Sequence, residues 1–257
     1  YMLAKNLDNV SVVVDKDRVK GGKFAIQELE ADILLLDDGM QFLKIAHSID
    51  IVLVDSNSPF GTGAMMPRGT LREPPRNLCR ADYIFITKCR HPNNKKLIRK
   101  IRKHNKVAEI IECTHGPVHL ENVFTGEIKS LSFLKDKYIA AISGIAVPES
   151  FEEKLTDLGA NVLFHRTFSD HYSFSQDDID RFMKRCMRRD ADIIVTTEKD
   201  AVRFPQPTEL DVEVYFLRIE VDILSGAEVW EKLVSRTCGE RPPIDPLLIY
   251  ERPRKFT

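Results

Sequence analysis

The chain has 257 residues, enough for one large or two modest domains with an ample core. Its 38 Lys and Arg offset 39 Asp and Glu, and a net charge of −1 argues against a general nucleic-acid binder. Five cysteines, odd in number, widely spaced and never in a Cys-x-x-Cys pair, argue against a disulfide frame or a zinc site and for reduced thiols in the cytosol.

No stretch is apolar for long enough to read as a transmembrane helix, and no signal peptide opens the chain. Tyr1-Met2-Leu3-Ala4-Lys5 reads as the interior of a helix with no initiator Met, so the sequence is read as a fragment whose upstream part is missing. Residues 10–14 are a short β-branched run and predict a strand, closed by Asp15-Lys16-Asp17-Arg18. A helix is predicted over about residues 20–29, with Phe24, Ala25 and Leu29 on one face. Four consecutive apolar residues, 33–36, have the length of a strand buried on both faces, and Asp37-Asp38-Gly39 closes it. Residues 49–54, with Asp55, predict a second buried strand.

Residues 56–76 carry many Pro and Gly and no periodicity, which marks a long functional or disordered loop. Beyond it come a strand at 81–87, a basic helix at about 94–104 and a strand at 107–113. Residues 116–133 break the rhythm, with Thr125-Gly126 at the tip of a hairpin. Alternation then resumes: strands at 138–142, 161–166, 192–195 and 212–219, and helices at 148–158, 176–188 and 227–236. This order predicts an α/β fold with a parallel sheet followed by a second, smaller α/β domain. The boundaries are read as 1–115, a two-stranded connector at 116–136, a second domain at 137–238 and a Pro-rich tail at 239–257.

A pair of acids at the carboxyl end of a buried strand is costly unless a cation compensates it, and that end of an open parallel sheet is where ligands bind. Asp37 and Asp38 therefore suit Mg²⁺, which takes one or two carboxylates from a protein and keeps several waters. Solvated acids at a turn account for the same residues equally well. A Gly-x-x-x-x-Gly-Lys-Ser/Thr phosphate loop is absent from this sequence, and Gly21-Gly22-Lys23-Phe24 is rejected as one because it lacks the first glycine and the metal-binding hydroxyl.

Arg72-Glu73 places a cation beside an anion in the long loop, where Arg72 could neutralise a phosphoryl oxygen and Glu73 complete a metal shell. A plain loop ion pair is the alternative. His171 lies after a strand and could move or orient a proton, or stand as an ordinary turn histidine. Thr197 and Lys199 sit at a strand's carboxyl end, as ligand contacts or as a helix cap. Arg18 is a further candidate phosphate contact. Residues 88–106 hold a dense run of Lys and Arg, and residues 184–189 a second: solvated helix faces, or a docking patch for an anionic membrane or phosphorylated substrate.

Taken together and in order, Asp37-Asp38-Gly39-Met40-Gln41, Phe60-Gly61-Thr62-Gly63, Pro67-Arg68-Gly69-Thr70-Leu71-Arg72-Glu73-Pro74, Phe168-Ser169-Asp170-His171-Tyr172 and Thr197-Glu198-Lys199-Asp200 resemble the tetraacyldisaccharide 4'-kinase (lipid A 4'-kinase) family, from the first residues to about residue 236. The resemblance implies a P-loop kinase that moves the γ-phosphate of ATP to the 4'-hydroxyl of a lipid A disaccharide precursor. It would act as a monomer, without nucleic acid, at the cytoplasmic face of the bacterial inner membrane. It also implies Mg²⁺ at Asp37, Asp38 and Glu73, catalysis by His171, Arg72 and Asp38, and substrate or nucleotide contacts at Arg18, Gln41, Thr197 and Lys199. His171 would pair with an upstream aspartate acting as general base. Two departures accompany it. Phe42 stands where the family usually has His, and the Walker A loop and the base-carrying aspartate would precede Tyr1. A non-catalytic glycolipid-binding relative is the alternative. A phosphohydrolase using Asp37 as nucleophile fits worse, because Gly39 occupies the place of its second acid.

Overall fold

The computed structural model describes residues 2–170, 172–206 and 211–239. In chain order these form α1 (Met2–Asn6), α2 (Arg18–Glu28), β1 (Ile51–Asp55), β2 (Tyr83–Thr87), α3 (Lys95–Arg102), β3 (Glu109–Asn122), β4 (Ile128–Ser130), β5 (Tyr138–Ser143), α4 (Pro148–Asp157), β6 (Asn161–Thr167), α5 (Gln176–Arg188), β7 (Ile193–Thr197), α6 (Glu198–Ala201), β8 (Val214–Ser225) and α7 (Ala227–Cys238). The chain divides into two compact units. Among the described residues, one holds Asn9–His115 and Val221–Gly239; the other holds Met2–Asp8 and Gly116–Glu220. Helix α7 thus groups with the first of these, although in sequence it follows the whole of the second.

In the unit of Asn9–His115, β1, β2 and β3 run parallel, with Ile51 opposite Tyr83 and Tyr83 opposite Glu109. Every residue of β2 is buried, and its side chains alternate between two cores as the two-residue period of a strand requires. Ile84 and Ile86 meet Leu97 and Ile101 of α3 together with Val54. Tyr83 and Phe85 meet Ile111, Cys113 and Leu233 of α7. Each fully buried aliphatic side chain is worth about 1.5–3 kcal/mol, so this strand anchors the unit.

Both ends of α3 are pinned. The buried Glu112 carboxylate accepts from the Asn93 and Asn94 main-chain N–H groups at 2.9 and 2.7 Å, from the Asn94 amide at 2.6 Å and from the Ser225 hydroxyl at 2.9 Å. An acid beside the first turn also complements the helix dipole. Past the other end, the buried Asn105 side chain donates to the Leu78 and Ala81 carbonyls and accepts from the Val107 and Ala108 N–H groups.

Residues 10–14 and 33–36 do not form the strands that their composition predicts. They are non-helical segments on the surface, with Val14 91% and Leu35 86% exposed. A β-branched or apolar run becomes a strand only when a neighbour completes its ladder and its face is covered. Among the described residues neither segment has such a neighbour, and β1 pairs with β2 alone, leaving Leu53 68% exposed.

In the unit of Gly116–Glu220 the strand order is β8-β7-β5-β6, all parallel, as the alternation of elements predicts. Ile139 and Ala141 face a core with Phe151 and Leu155 of α4, while Ala140 and Ile142 face one with Ile179, Phe182 and Cys186 of α5. Helix α5 begins at a capping box in which Ser175 and Asp178 satisfy each other's main-chain N–H groups. Strand β4 pairs antiparallel with the end of β3, His119 opposite Ser130, and gives the hairpin expected around Thr125-Gly126. Among the described residues no helix is long and apolar enough to cross a membrane.

Candidate active site

The site is built within the unit of Asn9–His115, on the turn that carries Asp37 and Asp38. Asp38 has a φ of 52°, the left-handed region that Asp tolerates better than most residues. Gly39 follows because space is short: a Cβ there would lie 2.7 Å from Cβ of Leu36. Arg18, the first residue of α2, reaches this turn. Its Nη1 donates to the Asp38 carbonyl and its Nη2 to the Asp37 carbonyl, each at 3.0 Å. Asp17 caps the same helix by accepting from the Val19 and Lys20 N–H groups, which fixes where Arg18 leaves the chain. The Arg18 guanidinium lies 5.5 Å from the centre of the Phe42 ring.

Held in this way, the acid pair keeps both carboxylates on the surface. Arg72 forms an ion pair with Asp38 through Nη1 and Oδ2, so sequence-distant residues expected at one pocket do meet. Glu73 turns the other way. Its Oε2 accepts from Arg80 Nη2 and Asn77 Nδ2, both at 2.6 Å. The same Arg80 nitrogen lies 3.4 Å from the Met40 carbonyl, beside the acid turn. A cavity of about 190 Å³ is lined by residues that include Met40, Gln41, Leu53, Phe60, Arg72 and Glu73. That is smaller than the pockets of about 300–1,000 Å³ that hold whole drug-sized ligands.

The long loop folds on itself: Thr62 and Thr70 exchange main-chain to hydroxyl hydrogen bonds at 3.2 Å, and a Cβ at Gly69 would sit 2.2 Å from the Ala64 carbonyl oxygen. At the end of β1, Asp55 pairs with Lys88 at 2.6 Å. Burial pushes the Asp55 pKa up, but the hydrogen bond from Lys88 and that from the Asn57 N–H outweigh it, and the carboxyl lies below its ordinary range.

Chemically the turn offers two exposed carboxylates to a hard cation and one guanidinium, Arg72, to an anionic oxygen. Among the described residues no group of three His, Cys, Asp or Glu side chains is gathered for a metal. With Glu73 engaged by Arg80 and Asn77, the donors fit Mg²⁺ held by one or two carboxylates with waters and phosphate oxygens, and do not fit a three-carboxylate cage.

In the other unit Thr197 is the cap of α6. Its hydroxyl donates to the buried Asp200 carboxylate at 2.7 Å, and that carboxylate also accepts from the Gly144 N–H at 2.9 Å. Lys199 is exposed on α6. His171 lies outside the described residues. Arg80 and Asn77, which fix Glu73, carry no signal in the sequence, since nothing in their spacing distinguishes them from other loop-end polar residues.

The model of the family described as LpxK, tetraacyldisaccharide-1-P 4'-kinase, matches residues 1–238. The chain belongs to this family. It is 34% identical over 241 residues to a tetraacyldisaccharide 4'-kinase of Halothermothrix orenii, with 87% of this chain and 62% of that protein covered. It is 32% identical to one of Anaeromyxobacter dehalogenans, covering 90% of this chain and 62% of the relative. The chain thus spans about three-fifths of the length of these tetraacyldisaccharide 4'-kinases. Among solved structures it is similar to LpxK from Aquifex aeolicus in complex with ATP, with a TM-score of 0.67 and 26% identity over 92% of this chain and 67% of that one.

Proposed function

We propose that this chain is the larger part of an ATP-dependent tetraacyldisaccharide 4'-kinase. The reaction is transfer of the γ-phosphate of ATP to the 4'-hydroxyl of a tetraacyldisaccharide 1-phosphate, in lipid A biosynthesis, at the cytoplasmic face of the inner membrane. The observation that carries this reading is the Arg18-pinned acid turn with Arg72 on Asp38, in a chain that matches the kinase family over residues 1–238.

Asp37 and Asp38 would hold Mg²⁺, which when bound neutralises phosphate charge. Arg72 would then release Asp38 and turn to the phosphoryl oxygens, where its guanidinium favours the charge distribution of the transition state. Glu73, anchored by Arg80 and Asn77, would hold the loop in place and add negative charge for Mg²⁺ beside the acid turn. His171 orients the proton acceptor for the sugar hydroxyl. Gln41, Thr197 and Lys199 contribute substrate or nucleotide contacts.

Binding of a glycolipid without transfer is the second reading, and Phe42 beneath Arg18 favours it, because an apolar ring there supplies no polar contact beside the metal. The test extends the chain with its native upstream residues and measures transfer of label from γ-labelled ATP to a tetraacyldisaccharide 1-phosphate. Mg²⁺-dependent product is expected. A folded protein that binds the glycolipid and forms no product establishes the second reading instead.

A further inference from the structure

Among the described residues the most one-sided charge distribution belongs to α3 and the turn after it. Leu97 and Ile101 of α3 are buried, and Lys95, Lys96, Arg99, Lys100 and Lys103 come out together on the opposite face, with Lys106 following. All six of these cations are exposed, and none is in an ion pair with a described residue. From Lys88 to Ala108 the sequence contains no Asp or Glu. The other basic run differs: residues 184–189 are flanked by acids, with Asp177, Asp178 and Asp180 in the first turns of α5 and Asp190 and Asp192 just beyond it. In a chain of net charge −1 the α3 face is therefore a local concentration of uncompensated charge.

The face is also rigidly presented. Glu112 fixes the start of α3 and Asn105 the turn beyond it, so the cations stand on a scaffold whose ends are both hydrogen-bonded to the core. Val107, 84% exposed, adds an apolar side chain next to Lys106. No Phe, Tyr or Trp lies between Lys88 and Ala108 to stack on a base. We propose that the exposed face of α3 docks the protein on an anionic phospholipid surface. This rests on the reading that the substrate carries acyl chains and is met at a bilayer. Cations at such a surface each contribute through the negative potential of the headgroups, and Val107 enters the interface.

The test is co-sedimentation of the full 257-residue chain with vesicles of equal parts phosphatidylglycerol and phosphatidylcholine, against vesicles of phosphatidylcholine alone. Binding to the anionic vesicles only, weakening as salt rises, is expected. Each basic residue contributes about fivefold, so the triple variant Lys96→Glu, Arg99→Glu, Lys100→Glu should bind at least about a hundredfold more weakly. Lys184→Glu with Arg188→Glu on α5 should leave binding unchanged. If the triple variant does not melt cooperatively, the pair Lys103→Glu, Lys106→Glu, outside the helix, decides with a loss of about 25-fold. Equal binding of wild type and charge-reversed variants, equal binding to both vesicle types, or tighter binding to a duplex oligonucleotide than to anionic vesicles would overturn the proposal. Transfer assayed on detergent-dispersed substrate is a separate readout. Its failure counts against the kinase reading and leaves the vesicle result standing.

Discussion

Arg18 grips Asp38 by the main chain, Nη1 to the carbonyl oxygen at 3.0 Å, and leaves the carboxylate of that residue free to face Arg72. The guanidinium acts as a two-pronged template for the acid turn, since its other prong takes the Asp37 carbonyl. Lysine has the charge without the fork. Arg18→Lys is therefore expected to reduce turnover of the extended kinase by about tenfold or more, while the lost exposed hydrogen bonds cost about 1 kcal/mol of stability at most. Steady-state kinetics together with thermal melts check this, and an unchanged rate in Arg18→Lys would mean that charge alone suffices.

Removing one carboxylate charge at the turn should strike the metal-dependent step. Asp38→Asn is expected to lower turnover by at least about tenfold and to raise the Mg²⁺ concentration needed for half-maximal rate, because metal placement acts in the transition state. His171→Ala should lower turnover by at least about tenfold with its Mg²⁺ requirement unchanged, which separates proton handling from metal binding.

Arg80 and Glu73 form a partly buried pair that ties the end of the long loop to the Met40 carbonyl. Arg80→Ala leaves the partly buried Glu73 carboxylate with Asn77 and without a counter-charge, and should cost about 1–3 kcal/mol in urea unfolding. Adding Glu73→Gln to Arg80→Ala should recover part of that cost, with a coupling of about 0.5–2 kcal/mol in the double-mutant cycle. Turnover should stay low in the double variant, since its loop is no longer tied to the acid turn.

Glu112 sets an acid limit on stability. Burial pushes its pKa up, but the hydrogen bonds from Asn94, Asn93 and Ser225 pull it further down, so it lies below the usual carboxylate range when folded. A group with a depressed folded pKa contributes stability above its unfolded pKa and loses it as pH falls through the folded value. Stability should therefore drop as pH falls below about 4.3, the ordinary glutamate value. In Glu112→Gln the protein should be less stable at neutral pH and the acid limb shallower, as pH-dependent denaturation would record.

Burial pushes the Cys186 thiol from 9.0 up to about 12. The unfolded chain then ionises between these values while the folded chain does not, so stability present below pH 9 is lost as pH rises towards 12. Cys186→Ala should flatten the alkaline limb at the cost of a small cavity. Native Cys186 should also resist thiol reagents that modify the exposed Cys79 and Cys238.

How much of this was legible in the sequence differs by element, for physical reasons. Helix α5 begins and ends where its sequence says, because Ser175 and Asp178 write the cap locally. Strand β2 is equally plain, since a strand buried on both faces needs no alternation to be read. Residues 33–36 are as apolar, yet Ile33 and Leu35 lie exposed and no strand forms, because a ladder is a relation between strands and not a property of one. Strand β8 runs on past Ile219 to Ser225 through charged residues that its edge of the apolar pattern concealed. At the site, Asp38 and Arg72 were found by motif order, and the structure brings them together from 34 positions apart. Thr197 read equally well as a ligand contact or a cap, and here it caps Asp200. Arg80 was invisible because its two acceptors, Glu73 and Met40, are joined only by the fold.

The unit begun at Asn9 draws Ile223, Val229 and Leu233 into its core beside Tyr83, Phe85 and Ile111, and its Glu112 waits for the hydroxyl of Ser225. A ribosome finishes the whole of residues 116–220 before it supplies those side chains. The unit begun at Asn9 is therefore completed only after residues 116–220 are made, holding an open apolar face meanwhile, and a nascent chain arrested at residue 220 would be a substrate for holding chaperones.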